Sequence, residues 1–240
     1  MIEVDLIAKH GKKALGIAEV HEPTKSWRHR LPEILLEIGI IVFAITLSIQ
    51  LHAWHEHSVE RAEERQFLTG LRADLQSDLT ELRGDSLAYV LVLRGHRYFR
   101  TLTAQTMRPD SVEKYRWTLY NSTNLNPNSS RFEGFKSAGK LRLIEDEALL
   151  NDILDNYQEL IPSLVRQTAS FTQFKENNIQ RYLDEHLQRS GNNLLAVMQT
   201  DPMYNYLTKE PAIQSITGGY HRVLQQNRKI IRGIDAYLSH

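Results

Sequence analysis

Ile34-Leu-Leu-Glu-Ile-Gly-Ile-Ile-Val-Phe-Ala-Ile-Thr-Leu-Ser-Ile-Gln-Leu51 is the stretch on which the reading of this chain turns. Its only ionisable side chain is Glu37. As a helix it covers about 27 Å, close to the ~30 Å hydrocarbon core of a bilayer. Trp27 precedes it and Trp54 follows it. On one continuous helix those two rings lie about 40 Å apart, the spacing of two headgroup-level aromatic anchors. Pro32 bends the approach and leaves Trp27 the less secure of the pair. A buried core helix is the competing reading. A run this rich in Ile, Leu and Val, with no polar face, favours the bilayer instead. A cleaved signal peptide fits poorly, because the run is too long, starts too late, and ends in Gln-Leu-His-Ala-Trp-His without a small-residue cleavage site. The expectation is a transmembrane helix over residues 33–53.

Charge on either side orients it. Lys9, Lys12, Lys13, Lys25, Arg28 and Arg30 precede the span, and the next twenty residues beyond it carry only Arg61 and Arg65. The positive-inside rule then makes residues 1–32 cytoplasmic and residues 54–240 extracytoplasmic. In a bacterium that means the inner (plasma) membrane, with the C-terminal domain periplasmic. Ile2 to Ile17 reads either as a short cytoplasmic helix touching lipid through Lys9, Lys12 and Lys13, or as a solvated tail.

Composition limits the function. The 240 residues balance 29 Lys+Arg with 29 Asp+Glu, which argues against a nucleic-acid partner, since neutralising phosphates needs a basic surplus. The absence of cysteine removes disulfides, thiolate zinc sites, iron–sulfur clusters and a cysteine nucleophile. No Gly-x-Ser-x-Gly, P-loop or dinucleotide-binding glycine pattern is present, so no cofactor is expected and the balance leans away from an enzyme.

Beyond the span the periodicity is helical. Leu68, Leu71, Leu75, Leu79 and Leu82 follow an i, i+3, i+4 rhythm, with Asp74, Asp78 and Glu81 assigned to other faces and no heptad sustained enough for a pure coiled coil. This helix is expected to continue from the span to about Thr103, with Gly70, Gly84 and Gly95 as weak points of ~1 kcal/mol each relative to Ala. Ser111 is a partial cap for the next helix. Residues 121–130 read as a polar loop with nothing to build a core, and residues 131–137 as a short helix before Gly139. A long helix opens at Glu145-Asp-Glu147, meets Pro162, resumes, and closes at Gly191, and a last one runs from Glu210 to Leu238. The fold class is therefore all-α: one N-terminal transmembrane helix continuing into an extracytoplasmic antiparallel helical bundle.

The stretch from Glu37 to Glu56 resembles the signature of a large bacterial family of single-pass membrane proteins that has no established biochemical role. Glu37, Gln50, Trp54 and Glu56 fall on its pattern of an acid-led span closing in Gln-x-Asn-Asn-Trp-Asn-Glu. His52, Ala53 and His55 stand where the family has asparagine, and Leu36 where it has glycine. Leu71-Arg-Ala-Asp-Leu-Gln-Ser-Asp78 and Phe135-Lys-Ser-Ala-Gly-Lys-Leu-Arg-Leu-Ile144 are similar to two further family segments. The resemblance implies topology and architecture rather than an activity.

Candidate chemistry gathers in and beside the span. A carboxylate at the centre of a membrane helix costs ~2.5–3.5 kcal/mol, less near an end. Glu37 either reaches the cytoplasmic interface or pairs with Arg30, or meets its own copies in an assembly, where crowding suits it to holding or passing protons or cations. Ala44 and Ser48, four apart, form a small-xxx-small pair for a helix seam, and Gln50 offers an interhelical hydrogen bond. His52, His55 and Glu56 have the spacing of a weak metal site. The expected partners are the lipid bilayer and further copies of the chain in a homo-oligomer. The expected role is a non-catalytic structural or sensing module, with a homo-oligomeric ion or proton channel built on Glu37 as the alternative.

Overall fold

The computed structural model describes residues 27–239. The cytoplasmic reading of residues 1–32 lies largely outside them, as does the side chain of Trp27. Among the described residues every regular element is helical and none is a strand. The chain divides into two compact units, residues 1–58 and 59–240.

The first helix, α1, spans Trp27–Arg100 and includes Pro32 in its second turn. The described part of the first unit is its N-terminal portion. One 3–4 spaced line governs α1 within the second unit: Glu64, Leu68, Leu71, Leu75, Asp78, Leu82, Asp85, Tyr89, Val92, His96 and Phe99 are all buried. That line is a sustained heptad seam, and it corrects the expectation that Asp78 faces away and that no long heptad exists. Polar side chains at four of its levels hide it from a hydropathy reading.

Later helices pack against this seam. They are α2 (Pro109–Tyr120), α3 (Ser130–Ser137), α4 (Glu147–Leu154), α5 (Ile161–Phe174), α6 (Arg181–His186), α7 (Leu194–Met198), α8 (Asp201–Leu207) and α9 (Glu210–Leu238). One core cluster joins Leu68, Leu71 and Leu75 of α1 to Ile153 of α4, Leu164 of α5, and Ile216, Tyr220, Ile230 and Ile234 of α9. A second joins Phe99 of α1 to Leu119, Leu183, Met198, Met203 and Leu207. Each such side chain contributes ~1.5–3 kcal/mol on leaving water. Exposed ion pairs such as Arg61–Glu145 and Lys140–Glu63 edge the contact and add little beyond it.

Local rules account for most ends. Pro109 sits at the first turn of α2, where its missing N–H costs nothing, and no side chain caps that helix, so Ser111 is not the cap its position suggested. After α3, Gly139 turns the chain at φ 69°, a conformation that favours glycine, into a short 3₁₀ turn, Lys140–Leu143. Asp146 caps α4 by accepting the Leu149 N–H at 3.0 Å. The helix from α4 onward does not stop at Pro162. It widens into a π turn over Asp155–Leu160, where the Ile161 N–H reaches Asn156 O. Widening before a proline relieves the clash its ring makes with the preceding turn. A second π turn covers Lys175–Gln180, and the helix then ends at His186 rather than Gly191. The loop 121–130 is held after all: Leu125 is buried, and the Asn128 N–H donates to Asp78 at 3.3 Å.

Candidate membrane anchor and buried polar line

Glu37, Ala44, Ser48, Gln50, His52, Trp54, His55 and Glu56 all lie on α1, and all are exposed. So are the apolar side chains around them: Leu35 is 65% exposed, Phe43 68% and Trp54 73%. No residue of the most apolar window is buried, and the helix is long and apolar enough to cross a membrane. The polar atoms of the rod are partly self-satisfied, since the Thr46 hydroxyl donates to Val42 O at 2.8 Å. Helical spacing sorts the candidates by face. Glu37, Ala44, Ser48 and His55 fall within roughly 20° of one line. Gln50, thirteen residues from Glu37, lies about 140° away, so a single seam cannot hold both. His52 and Glu56 share a face and His55 stands beside it, but among the described residues no group of three His, Cys, Asp or Glu side chains is disposed to hold a metal ion.

The second unit contains a chemistry that the sequence reading missed. Asp85 accepts a hydrogen bond from Tyr220 Oη at 3.1 Å. Burial pushes its carboxyl up to about 6, against that hydrogen bond and with help from the Glu81 charge. Tyr89 packs beside Tyr220, 5.6 Å between ring centroids, and donates to Thr123 O at 2.9 Å. Asp78 is likewise held above the usual carboxylate range by burial, opposed by its hydrogen bonds from Asn128. Glu64 accepts the Glu145 N–H at 3.2 Å.

His96 is fully buried, and neither ring nitrogen has a hydrogen-bond partner among the described residues. Burial, and then the charge of Lys175, push it down to about 3, so the imidazole is neutral. Lys175 is itself fully buried and makes no ion pair among the described residues. It donates to Thr118 O at 2.7 Å and to Asn121 O, closing the C-terminal end of α2 where backbone carbonyls favour a cation. Burial lowers it to about 8. The cavity beside Lys175 and Tyr89 has a volume of about 10 Å³, room for one water and for no substrate.

Both π turns bring a polar residue inward. Asn156 in the first donates to Asn227 Oδ1 of α9 at 2.9 Å, and Lys175 opens the second. The spacing of Asp78, Asp85 and His96 was the available signal for the rest: each occupies the heptad line of its apolar neighbours. Set against family models, curated proteins and solved structures, the chain finds no match.

Proposed function

We infer that this chain is a membrane-anchored, non-catalytic helical module with a structural or sensing role, working as a homo-oligomer. In this reading residues 33–53 cross a bacterial inner membrane, with the N-terminus cytoplasmic. Residues 54–240 form an antiparallel bundle on the periplasmic side, as the resemblance to the single-pass family implies. The observation that carries it is the bare apolar rod from Leu35 to Leu51. Each Ile, Leu, Val or Phe left in water forgoes ~1.5–3 kcal/mol, and the eleven exposed between Leu35 and Leu51 demand a non-aqueous cover. The shared face of Glu37, Ala44 and Ser48 supports copies meeting there, where small residues allow close approach and a carboxylate escapes lipid. The test is membrane partition followed by mass measurement in native lipid. The full chain should resist alkaline carbonate extraction and run as a discrete multimer. A monodisperse monomer in buffer without amphiphile would overturn the reading.

The exposed Glu37, the only ionisable side chain between Ile34 and Leu51, supports a second reading, a proton or cation pathway through the assembly. Proton flux into liposomes should then fall on Glu37→Gln, and silence from both proteins rules the pathway out.

A further inference from the structure

A groove of about 530 Å³ lies between α5 and the start of α9 in the second unit. Its floor is apolar, formed by Phe171, Phe174 and Ile216. The Phe171 and Phe174 rings stack with centroids 6.2 Å apart. The walls are tied together: Ser215 Oγ donates to Gln167 Oε1 at 3.1 Å, and Gln167 Nε2 donates to Ser163 Oγ at 3.2 Å. The first bond links α9 to α5, and the second, within α5, holds the Gln167 amide in place for it. Two cations stand at its edge, Arg166 from α5 and Lys209 just before α9, and among the described residues no acid lines it. Among the described residues neither cation makes an ion pair. Glu210, the acid adjacent to Lys209, is taken by Arg97 and Arg100, at 2.8 and 2.7 Å. Lys209 Nζ instead lies 5.6 Å from the Phe174 ring centroid, which directs the charge over the floor.

We propose that this groove binds a small aromatic oxyanion, a carboxylate in the simplest case. The volume is that of a small-molecule site, and an apolar floor with a few convergent polar groups is how such sites are built. A flat body stacks on Phe171 and Phe174. The oxyanion takes the guanidinium fork of Arg166 and the ammonium of Lys209, neither of which is ion-paired among the described residues. A neutral ligand leaves both cations unanswered, and a cation is repelled.

The probe is 2-naphthoate, titrated by calorimetry into the full chain in nanodiscs of zwitterionic lipid, with empty nanodiscs as the blank. Saturation at one molecule per chain is expected. 2-Naphthol, nearly the same shape but uncharged at neutral pH, should bind at least tenfold more weakly. Arg166→Gln combined with Lys209→Gln should weaken 2-naphthoate at least tenfold while leaving 2-naphthol unchanged. Ala212→Trp, which fills the groove without altering its charge, should abolish binding of both, with unchanged circular dichroism showing that the helices persist. Failure to saturate, equal affinity for the two ligands on the native chain, or indifference to the double substitution each overturns the proposal.

Discussion

At the scale of single residues, two buried groups on α1 pull stability in opposite directions with pH. Asp85 has a folded-state pKa raised to about 6, so the folded chain holds that proton longer than the unfolded one. Stability from this site falls as pH rises from roughly 4 to 6. His96 has a folded-state pKa lowered to about 3, so the unfolded chain takes up the proton first. Stability from that site is present above about pH 6.5 and is lost as pH falls. Asp85→Asn keeps an acceptor for Tyr220 and removes the charge. It should match the native chain at pH 4 and exceed it by up to about 3 kcal/mol at pH 7.5, read from urea midpoints. His96→Leu should do the reverse, gaining on the native chain as pH falls from 7 to 4.5. Parallel curves in either comparison would contradict the assignment. These residues were legible in principle. Asp78, Asp85 and His96 keep the 3–4 spacing of Leu75, Leu82 and Val92, but a reading that counts only apolar side chains steps over them.

At the scale of elements, the glycines of α1 separate by what faces them. A Cβ on Gly84 would meet nothing within 4 Å, so Gly84→Ala should stabilise by about 0.5–1 kcal/mol through helix propensity alone. A Cβ on Gly95 would fall 2.2 Å from Thr118 Oγ1 and 2.9 Å from its Cβ. Thr118 is buried and its hydroxyl already donates to Tyr115 O, so it has nowhere to go. Gly95→Ala should therefore cost about 1–3 kcal/mol, with the sign opposite to that of Gly84→Ala in the same thermal-unfolding assay. Sequence alone assigns both glycines the same penalty, because propensity is local and the approach of α2 is not. The bounds of α9 and the short helix α3 were legible, being set by Pro211, Gly139 and periodicity. The π turns were not. Pro162 flags a disturbance, but a single extra residue per turn leaves no trace in the spacing of apolar side chains over so short a run. The helices α7 and α8 are too short to carry a period at all.

At the scale of the molecule, hydropathy is a property of one stretch and needs no tertiary knowledge, which is why the rod from Leu35 to Leu51 could be read directly. The α5–α9 groove needs two segments some forty residues apart, and nothing in either announces the other. The two core clusters both draw on residues after Ser58, so a chain beginning at Val59 should be soluble without amphiphile and keep its helical circular dichroism. The full chain should aggregate under the same conditions, and equal solubility of the two would contradict the anchor.

The polar levels of α1 also number its turns. Glu64, Asp78, Asp85 and His96 are spaced fourteen, seven and eleven residues apart, so no two intervals repeat. A helix sliding along α1 by one heptad, roughly 10.5 Å, would set Tyr220 against Val92 in one direction, or in the other against Asp78, already bonded to Asn128, and would strand Asp85 without its donor. A seam of leucine at all eleven levels would have tolerated that slip. The uneven ionisable ones act as the teeth of a key, admitting the later segments in a single alignment.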